Sequence, residues 1–449
     1  MHLRYFGTDG MRGPFGEPPM EESFMRRLGY AVAQYGALRR PGSKLEIVAG
    51  RDPRLSGRTI LRALAEGLVA HGHRVLDLGV VPTPAVPLAV LEWGADLGLM
   101  ITASHNPPGD NGIKFFDERG LKLETGAEAE IEACLGHARA PAEPPQTVAI
   151  TQADALELFL RTRTAVLPAH ALAGWVVAVD PGHGATCATT PEVLRRLGAT
   201  VHTRAADPDG ALINTDAGSE HPAQLAALVK QTGARVGFAH DGDGDRLVAC
   251  DETGAIVDGD QILGLLALHF LRKGELRGNI LVATVQSNLG LDQTLAAAGG
   301  RVERVAVGDR NVLHRLLELN ATFGGENSGH YIFPEIARCG DGLLAALMLA
   351  RVMRETGQPL STLRAEVKLL PQVTANLRVQ EKRPLDETPT LGPALLAVEK
   401  TLEGRGRVLA RYSGTEKKLR LLVEGPAAHE IKQALETLKK AAAKDLGAE

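Results

Sequence analysis

The chain has 449 residues, of which 44% are hydrophobic and 4% aromatic, so it is long enough for about three or four domains with ample cores. Lys and Arg number 50 and Asp and Glu 54, giving a net charge of -4, and the absence of a basic block excludes nucleic acid as the main partner. The four cysteines are far apart, the N-terminus lacks the apolar core of a signal peptide, and no run of about 18 apolar residues occurs, which predicts a cytoplasmic protein with free thiols and no membrane partner.

Three regions of the chain repeat the order strand, loop, helix, strand. In the first, apolar residues at helical spacing follow a capping Ser56 and end at Gly72, with a β-rich run on each side. The other two copies begin at WVVAVD and at NILVATV. The three units lie at 45–81, 175–204 and 279–307. This repetition predicts three related α/β domains with mixed, largely parallel sheets that are covered on both faces.

Changes in composition predict where the domains end. A run rich in Pro and Ala at 138–146 marks the first boundary, and shifts near 251–260 and 369–379 mark the next two. After the last boundary come two strand-like runs around a turn and then a helix rich in Lys and Ala, which predict a smaller C-terminal α+β domain. The four expected domains, arranged around a central cleft, are residues 1–145, 150–252, 253–368 and 370–449.

The segment TASHNPPGDNGIKFF follows the buried run DLGLMI and contains Ser104 and Lys114. Ser104 stands where a strand leaves the sheet, which is the usual place of functional groups in an open α/β protein. A turn-forming serine is the alternative interpretation. His105 is adjacent to Ser104, and because neighbouring side chains on an extended backbone point apart, we expect it to be a poor base for that serine.

In the segment HDGDGDR, three aspartates alternate with glycine between two strand-like runs. Glycine lets the backbone curl, so that Asp241, Asp243 and Asp245 can converge, and an all-oxygen ligand set is typical of Mg²⁺ or Ca²⁺. The alternative, an acidic surface turn, would leave three like charges unneutralised beside an apolar strand. Arg246, at the end of the segment, indicates an anionic ligand such as phosphate near the metal.

The segment GGENSGHYIF gathers polar groups on a loop flanked by glycine. Glu326, Asn327 and Ser328 suit a ligand with several hydroxyl groups. His330 is of the type that serves as general base or acid near neutral pH. A capped, solvated turn is the alternative.

The segment RYSGTEKKLR combines guanidinium groups, hydroxyls and a glycine-exposed backbone, which can cradle a phosphate. The residues concerned are Arg411, Ser413, Gly414, Thr415 and Arg420. A β-hairpin turn with surface charges is the alternative. Near the N-terminus, FGTDGMRG contains Arg12 and GRDPRLSG contains Arg51 and Arg54, but none of these arginines alone indicates a site.

Four of these motifs, in this order, resemble the α-D-phosphohexomutase family over nearly the whole chain. TASHNP looks like the phosphoserine loop of that family, DGDGDR like its metal loop, GENSGH like its sugar loop and YSGTE like its phosphate loop. FGTDGMRG, VGDRNV (307–312) and GGENSGH are most similar to the bacterial members that act on glucosamine phosphate. The resemblance implies an intramolecular phosphotransferase that moves a phosphoryl group between the 6- and 1-positions of the sugar, on the way to UDP-N-acetylglucosamine.

The resemblance also implies a role for each motif residue. Ser104 becomes the phosphoserine, primed by a sugar 1,6-bisphosphate, and one of its oxygens joins the three aspartates in holding one Mg²⁺. Groups that stabilise charge or move protons during transfer are Arg12, Lys114, Arg246 and His330. Sugar contacts come from Glu326, Asn327 and Ser328, and contacts to the phosphate that does not react come from Arg411, Ser413, Gly414, Thr415 and Arg420. Members of the family are often homodimers.

Three alternatives to this function remain open from the residues. The first is a mutase of the same family for glucose or mannose phosphate, because no residue-level argument separates an amine from a hydroxyl on the sugar. The second is a metal-dependent phosphatase, which would release inorganic phosphate. The third is a non-catalytic sugar-phosphate binder, which would have no need of a phosphoryl acceptor such as Ser104.

Overall fold

The structure, a computed structural model, describes residues 3–7, 9–137, 148–413 and 417–449. In these residues the chain forms four β-sheets, three with mixed strand directions and one antiparallel. Among the helices of this part of the chain, none combines the length and the apolar character needed to cross a bilayer. The predicted linker at 138–146 lies outside the described residues.

The first sheet has six strands and is flanked by four helices. Its strands are β1 (Met11–Pro14), β2 (Glu46–Arg51), β3 (Arg74–Val80), β4 (Leu97–Ile101), β5 (Asp110–Phe116) and β6 (Ile150–Gln152), and the helices are α1 (Glu22–Arg39), α2 (Gly57–Ala70), α3 (Ala85–Trp93) and α4 (Thr125–His137). The strand order is β1-β5-β4-β2-β3-β6. All of β4 is buried, as its continuous apolar sequence requires for a strand covered on both faces.

One strand departs from the expected division into domains. The prediction begins the second domain at residue 150, but β6 pairs in parallel with β3 of the first sheet. An edge strand has unpaired backbone groups, and the chain that follows the linker supplies partners for those of β3.

The second and third sheets have five and four strands. The second comprises β7 (Val176–Asp180), β8 (Thr200–Thr203), β9 (Val236–Ala239), β10 (Val248–Asp251) and β11 (Ile256–Val257), with α5 (Leu156–Thr164), α6 (Thr190–Arg196) and α7 (Pro222–Thr232). The third comprises β12 (Ile280–Thr284), β13 (Arg301–Val305), β14 (Gly324–Gly325) and β15 (Tyr331–Ile332), with α8 (Gly259–Arg272), α9 (Gly290–Ala297), α10 (Asp309–Glu318), α11 (Gly342–Thr356) and α12 (Leu360–Arg364).

These three sheets share one arrangement of four strands. In each, a first strand (β2, β7, β12) lies between two parallel neighbours, and the second of those neighbours (β4, β9, β14) is followed by an antiparallel strand. The predicted threefold repetition is therefore confirmed in the topology. The loops that leave β4, β9 and β14 occupy equivalent positions at the carboxyl ends of parallel strands, where open α/β sheets bind ligands.

The C-terminal unit is built differently. It comprises β16 (Gln372–Arg378), β17 (Arg407–Tyr412) and β18 (Lys418–Glu424) in the order β16-β18-β17, with α13 (Leu391–Leu402) and α14 (Ala428–Leu446). It has a hydrophobic cluster of its own, whereas one continuous cluster joins the first three sheets through residues such as Val48, Phe238 and Phe323. The predicted fold class, three related α/β units and a smaller α+β unit, is confirmed.

Candidate active site

The loops that follow β4, β9 and β14 meet at one point. Ser104, beyond β4, donates a hydrogen bond from Oγ to Asp241 Oδ2, beyond β9, at 2.6 Å. His330, between β14 and β15, places Nε2 3.1 Å from Asp245 Oδ1. Residues predicted from separate motifs of the first three units are thus in direct contact.

Ser104 is buried and has an unusual backbone conformation. Its φ of +53° lies in the left-handed region, which residues other than glycine seldom adopt. Ser104 is 1% exposed to solvent, and its backbone N–H donates to Thr102 Oγ1 at 2.8 Å. The sharp turn directs Oγ away from the first sheet and into the aspartates of the second unit.

The prediction that His105 is a poor base for Ser104 assumed an extended backbone, which Ser104 does not have. His105 Nδ1 lies 3.2 Å from Ser104 Oγ, because the left-handed backbone at Ser104 does not separate neighbouring side chains as an extended strand does. Burial, together with the charges of Arg246 and Arg12, lowers the pKa of His105 to about 4. The ring is therefore neutral at pH 7 and can exchange a hydrogen bond with the serine hydroxyl.

The acidic loop forms a compact cluster of three buried carboxylates. One oxygen from each of Asp241, Asp243 and Asp245 lies within 4.8 Å of the others, and all three residues are at most 2% exposed. Burial and the charges of Asp243 and Asp245 raise the pKa of Asp241 to about 8. Asp243 Oδ1 is buried without a hydrogen-bond partner among the described residues. Three oxygen donors with one left unsatisfied fit a hard divalent cation.

Glycine allows this loop to approach the serine. A Cβ at Gly242 would lie 2.7 Å from the carbonyl oxygen of Ser104, closer than side-chain carbons come to backbone atoms. The spacing DGDGD therefore serves two purposes, since it turns the three carboxylates inward and lets the first two units touch at Ser104.

Lys114 neutralises the acidic cluster from the side of the first sheet. Its Nζ, on β5, donates to Asp243 Oδ2 at 2.8 Å and to Asp245 Oδ2 at 2.6 Å, and lies 3.4 Å from Asp9 Oδ2. Burial lowers the pKa of Lys114, but the charges of these aspartates outweigh that effect and raise the pKa well above its usual value. The side chain is therefore a permanent cation within the cluster.

Two arginines, Arg12 and Arg246, flank the acidic cluster. Arg12, on β1, pairs with Asp9, and its Nε has no hydrogen-bond partner within the described part of the chain. Arg246 Nε lies 3.3 Å from His330 Nε2 and 3.9 Å from Asp241 Oδ2, and its Nη1 lies 3.8 Å from Glu220 Oε1. Guanidinium groups beside an acidic cluster that fits a divalent cation are suited to a phosphate group.

His330 links the acidic cluster to the sugar-loop motif. Nε2 faces Asp245 Oδ1 at 3.1 Å and Nδ1 faces Glu326 Oε2 at 3.3 Å, so both ring nitrogens meet a carboxylate. Burial lowers the pKa of His330, but the charge of Asp245 outweighs that effect and raises the pKa to about 10. The raised pKa favours a general acid over a general base, the two roles that the sequence left open for His330, and the choice between them stays a prediction. Asn327 is half-buried and Ser328 exposed on the same loop.

Sequence reasoning missed the ion pairs that fasten the first unit to the third. Lys122 Nζ donates to Asp309 Oδ2 at 2.6 Å and also contacts Asp9. The backbone N–H of Gly308, next to Asp309, donates to Glu326 Oε1 at 3.0 Å. Asp9 itself bridges Arg12, Lys114 and Lys122, and its place three residues before Arg12 in a glycine-flanked segment was the available signal.

The phosphate-loop motif forms a separate cluster on the C-terminal unit. Arg411 and Arg420 are directly opposite each other on β17 and β18, and the Nε of each is buried without a hydrogen-bond partner among the described residues. Burial and the charge of Arg420 lower the pKa of Arg411, while the charge of Glu326 acts in the opposite sense. Two like charges in register are destabilising unless an anion lies between them. Ser413 is buried beside them, and Gly414 and Thr415 lie outside the described residues.

Models of one protein family match the chain along almost its whole length. They are the phosphoglucomutase/phosphomannomutase α/β/α domain I at residues 3–141, domain II at 160–254, domain III at 258–369 and the C-terminal domain at 375–441. The chain therefore belongs to the phosphoglucomutase/phosphomannomutase family. The prediction of a phosphohexomutase, an intramolecular phosphotransferase, is confirmed.

Similar proteins point to one branch of this family. The phosphoglucosamine mutase of Desulfovibrio desulfuricans is 42% identical over 99% of both chains, and that of Moorella thermoacetica is 43% identical over 98% of this chain and 99% of the other. A phosphoglucomutase/phosphomannomutase family protein of Burkholderia thailandensis has a TM-score of 0.81 at 25% identity, covering 98% of this chain and 97% of its own. The N-acetylphosphoglucosamine mutase of Aspergillus fumigatus, in complex with GlcNAc-6P and magnesium, shares the fold at 17% identity with a TM-score of 0.65, covering 98% and 96%.

Proposed function

We propose that the chain interconverts glucosamine 6-phosphate and glucosamine 1-phosphate through a phosphoserine at Ser104 and a bisphosphorylated sugar. The observation that carries the proposal is the buried Ser104 hydroxyl, 2.6 Å from Asp241 in a cluster of three carboxylates that Lys114 partly neutralises. The choice of glucosamine phosphate as the substrate comes from the names of relatives that are more than 40% identical over nearly the full length.

The proposed reaction consists of two transfers in opposite directions. In the first, the bond from Ser104 Oγ to phosphorus breaks and a bond from the free sugar hydroxyl to phosphorus forms, which yields the sugar 1,6-bisphosphate. In net terms the sugar hydroxyl loses a proton and Ser104 Oγ gains one, and the neutral His105, 3.2 Å from Oγ, is placed to pass it on. The bisphosphate then turns over, and its other phosphate returns to Ser104.

We assign one divalent cation, Mg²⁺, to the acidic cluster. Asp241, Asp243 and Asp245 would hold it together with an oxygen of phosphorylated Ser104, which is a hard, all-oxygen set. When bound, such an ion stabilises the charge that develops on a transferring phosphoryl group. Lys114 keeps the cluster compact, because its donors are directed at Asp243 and Asp245.

The remaining cations surround the position of the transferring group. Arg12 Nε has no hydrogen-bond partner among the described residues, and Arg246 Nη1 lies 3.8 Å from its nearest carboxylate, that of Glu220; we assign both side chains to the phosphoryl oxygens. His330, held between Asp245 and Glu326, orients the sugar loop beside the metal site. The net effect is a buried cluster in which most charged groups are oriented before the substrate arrives.

We assign the sugar and the distant phosphate to the two remaining motifs. Glu326, Asn327 and Ser328 would bind sugar hydroxyls, and Glu326 is fixed for this by Gly308 N–H at 3.0 Å. The distant phosphate would lie between Arg411 and Arg420, with Ser413, Gly414 and Thr415 around it. A site that recognises only a phosphate accepts either end of the bisphosphate, which the turnover of the intermediate requires.

Phosphorus NMR tests this function directly. The protein would be incubated with Mg²⁺, a trace of glucose 1,6-bisphosphate and, in parallel, the 6-phosphates of glucosamine, glucose and mannose. We expect a 1-phosphate signal to grow fastest from glucosamine 6-phosphate. Faster conversion of glucose or mannose would overturn the sugar, growth of inorganic phosphate would indicate a phosphatase, and no conversion by a phosphorylated, folded sample would indicate a binder.

We also place the protein in the cytoplasm as a homodimer. All four cysteines are free, and three of them are buried, which suits a reducing compartment. Gel filtration coupled to light scattering tests the assembly, and a single species at the mass of one chain would contradict it.

A further inference from the structure

Arg54 lies beneath the loop that carries Ser104, with its side chain completely buried. Nη2 donates to the carbonyl oxygens of Ser104 at 3.1 Å and Asn106 at 2.7 Å. Nη1 donates to the carbonyl of Asp110 at 2.9 Å and to that of Pro107. A single guanidinium group therefore holds four backbone carbonyls of one loop.

The carboxylate that pairs with Arg54 holds the amide side of the same loop. Asp52 Oδ2 accepts from Arg54 Nε at 3.0 Å and from Thr102 Oγ1 at 2.6 Å. Thr102 Oγ1 in turn accepts from the N–H of Ser104 at 2.8 Å. Both the N–H and the carbonyl of Ser104 are thus tied, directly or through one hydroxyl, to the pair of Arg54 and Asp52.

This support is applied where the backbone needs it. Ser104 has a φ of +53°, a conformation that persists for a serine only when the surrounding structure imposes it. The same conformation directs Oγ toward Asp241. Asn214, on the second unit, adds a smaller hold, because its Nδ2 donates to the carbonyls of Ser104 at 2.9 Å and Asn106 at 3.0 Å.

We propose that Arg54 is a positioning residue for phosphoryl transfer, which fixes Ser104 Oγ relative to the acidic cluster without touching the substrate. The inference rests on the function proposed above. The planar fork of arginine can reach several carbonyls at once, whereas the ammonium of lysine acts as a point charge, so Arg54→Lys keeps the ion pair with Asp52 and loses the clamp. The groups assigned to the sugar and the distant phosphate lie elsewhere, so substrate affinity is unaffected.

The test compares Arg54→Lys with Arg51→Lys. Arg51 is in the same segment and forms a similarly buried pair with Asp77, at 2.5 Å, but donates to none of the four carbonyls. We expect Arg54→Lys to lower kcat by about 10²-fold, the scale of a misplacement of about 1 Å, with KM changed by less than about threefold. Arg51→Lys should lower the melting temperature comparably while kcat stays within about threefold.

Two further measurements keep the proposal falsifiable if Arg54→Lys does not fold. Asn214→Ala removes donors to the same carbonyls from the other unit and should lower kcat by about tenfold at constant KM. Arg54→Ala, assayed with millimolar guanidinium chloride, should regain part of its kcat. A loss in kcat no larger than that of Arg51→Lys, or a change confined to KM, would overturn the proposal.

The failure of this inference can be told apart from the failure of the proposed function. Each variant is also incubated with labelled glucose 1,6-bisphosphate, and phosphate transfer to Ser104 is followed by intact mass, which requires no glucosamine substrate. If wild-type protein turns over none of the three sugar phosphates, the proposed function fails. If wild-type and Arg54→Lys protein take up phosphate at Ser104 equally fast, the positioning role fails.

Discussion

Two charged sites of the molecule, the proposed reacting end around Ser104 and the C-terminal hairpin, satisfy their charged groups in opposite ways. Around Ser104, Lys114 is bonded to Asp243 and Asp245, and His330 lies between two carboxylates. On the C-terminal hairpin, Arg411 and Arg420 face each other, and neither pairs with a carboxylate among the described residues. At the first site most charged groups are paired, although Asp243 Oδ1 and Arg12 Nε have no hydrogen-bond partner among the described residues, whereas the second site is a pair of facing cations.

This difference teaches how the work of such an enzyme is divided. Groups that stabilise a transition state act best when they are already oriented, because no energy is then spent on reorganisation during the reaction. Groups that receive either of two phosphates need only the charge and the donors. The hydrophobic cores are divided in the same way. One hydrophobic cluster joins the first three units, whereas the hairpin belongs to the C-terminal unit, which has a separate hydrophobic cluster.

Replacing the acceptor tests the reacting end most severely. Ser104→Ala removes the oxygen that we propose carries the phosphoryl group, and we expect mutase activity to fall by at least about 10³-fold, as it does when other enzymes lose a covalent nucleophile. Folding should persist, because alanine fills the same space. The phosphorus NMR assay measures the loss, with Ser361→Ala on α12 as an active control. Substantial remaining turnover would remove Ser104 from its assigned role.

Removing the central cation tests whether the network at the reacting end is a stabilising unit. Lys114→Met leaves the buried Asp243 and Asp245 without their shared partner, and the loss of one member of such a group costs about 3–5 kcal/mol of unfolding free energy. Urea denaturation in EDTA measures this loss, and Mg²⁺ should restore part of it. The exposed Lys440→Met is the control, and equal stability of the two variants would contradict the comparison.

The candidate groups of the reacting end could be named from the sequence because they lie in short motifs at the ends of strands, and their roles stay predictions. Asp241, Asp243 and Asp245 alternate with glycine, and Ser104 ends an apolar run, so both could be found locally. Contacts between distant segments could not, such as Lys122 with Asp309 and Arg54 with the loop carbonyls. The proximity of His105 to Ser104 depends on a left-handed residue that the sequence pattern, read as extended, did not indicate.

The hairpin should respond to substitution in the opposite sense from Lys114. Arg411→Gln and Arg420→Gln each remove a proposed donor to the distant phosphate. Since a hydrogen bond to a charged group is worth about 1.5–3 kcal/mol, KM should rise by about tenfold or more. The rise should be similar for the 1-phosphate and the 6-phosphate, because both isomers use this site. Relief of the repulsion between the two cations should keep the unfolding free energy unchanged or raise it.

Steady-state kinetics in both directions, with exposed Arg405→Gln as the control, measures this effect. An unchanged KM in either direction would mean that the hairpin does not hold the distant phosphate. A large loss of stability would mean that the two arginines are structural, and the contrast between the two ends would disappear.

The smallest effect is expected where the third unit meets the C-terminal unit. Burial raises the pKa of Asp260 to about 7, against the opposing effect of a hydrogen bond from the N–H of Asn288, at 2.7 Å. An aspartate whose pKa is raised on folding opposes folding when it ionises, so the protein should lose stability as the pH rises from about 4 to 7, with the full loss present above 7.

Asp260→Asn keeps an oxygen for Asn288 and has no charge to bury. We expect the variant to be more stable than the wild type by about 1 kcal/mol at pH 8 and equally stable near pH 4. Thermal unfolding across this pH range measures the difference, with the exposed Asp386→Asn as the control. Parallel stability curves for the wild type and Asp260→Asn would show that ionisation of Asp260 does not destabilise this junction.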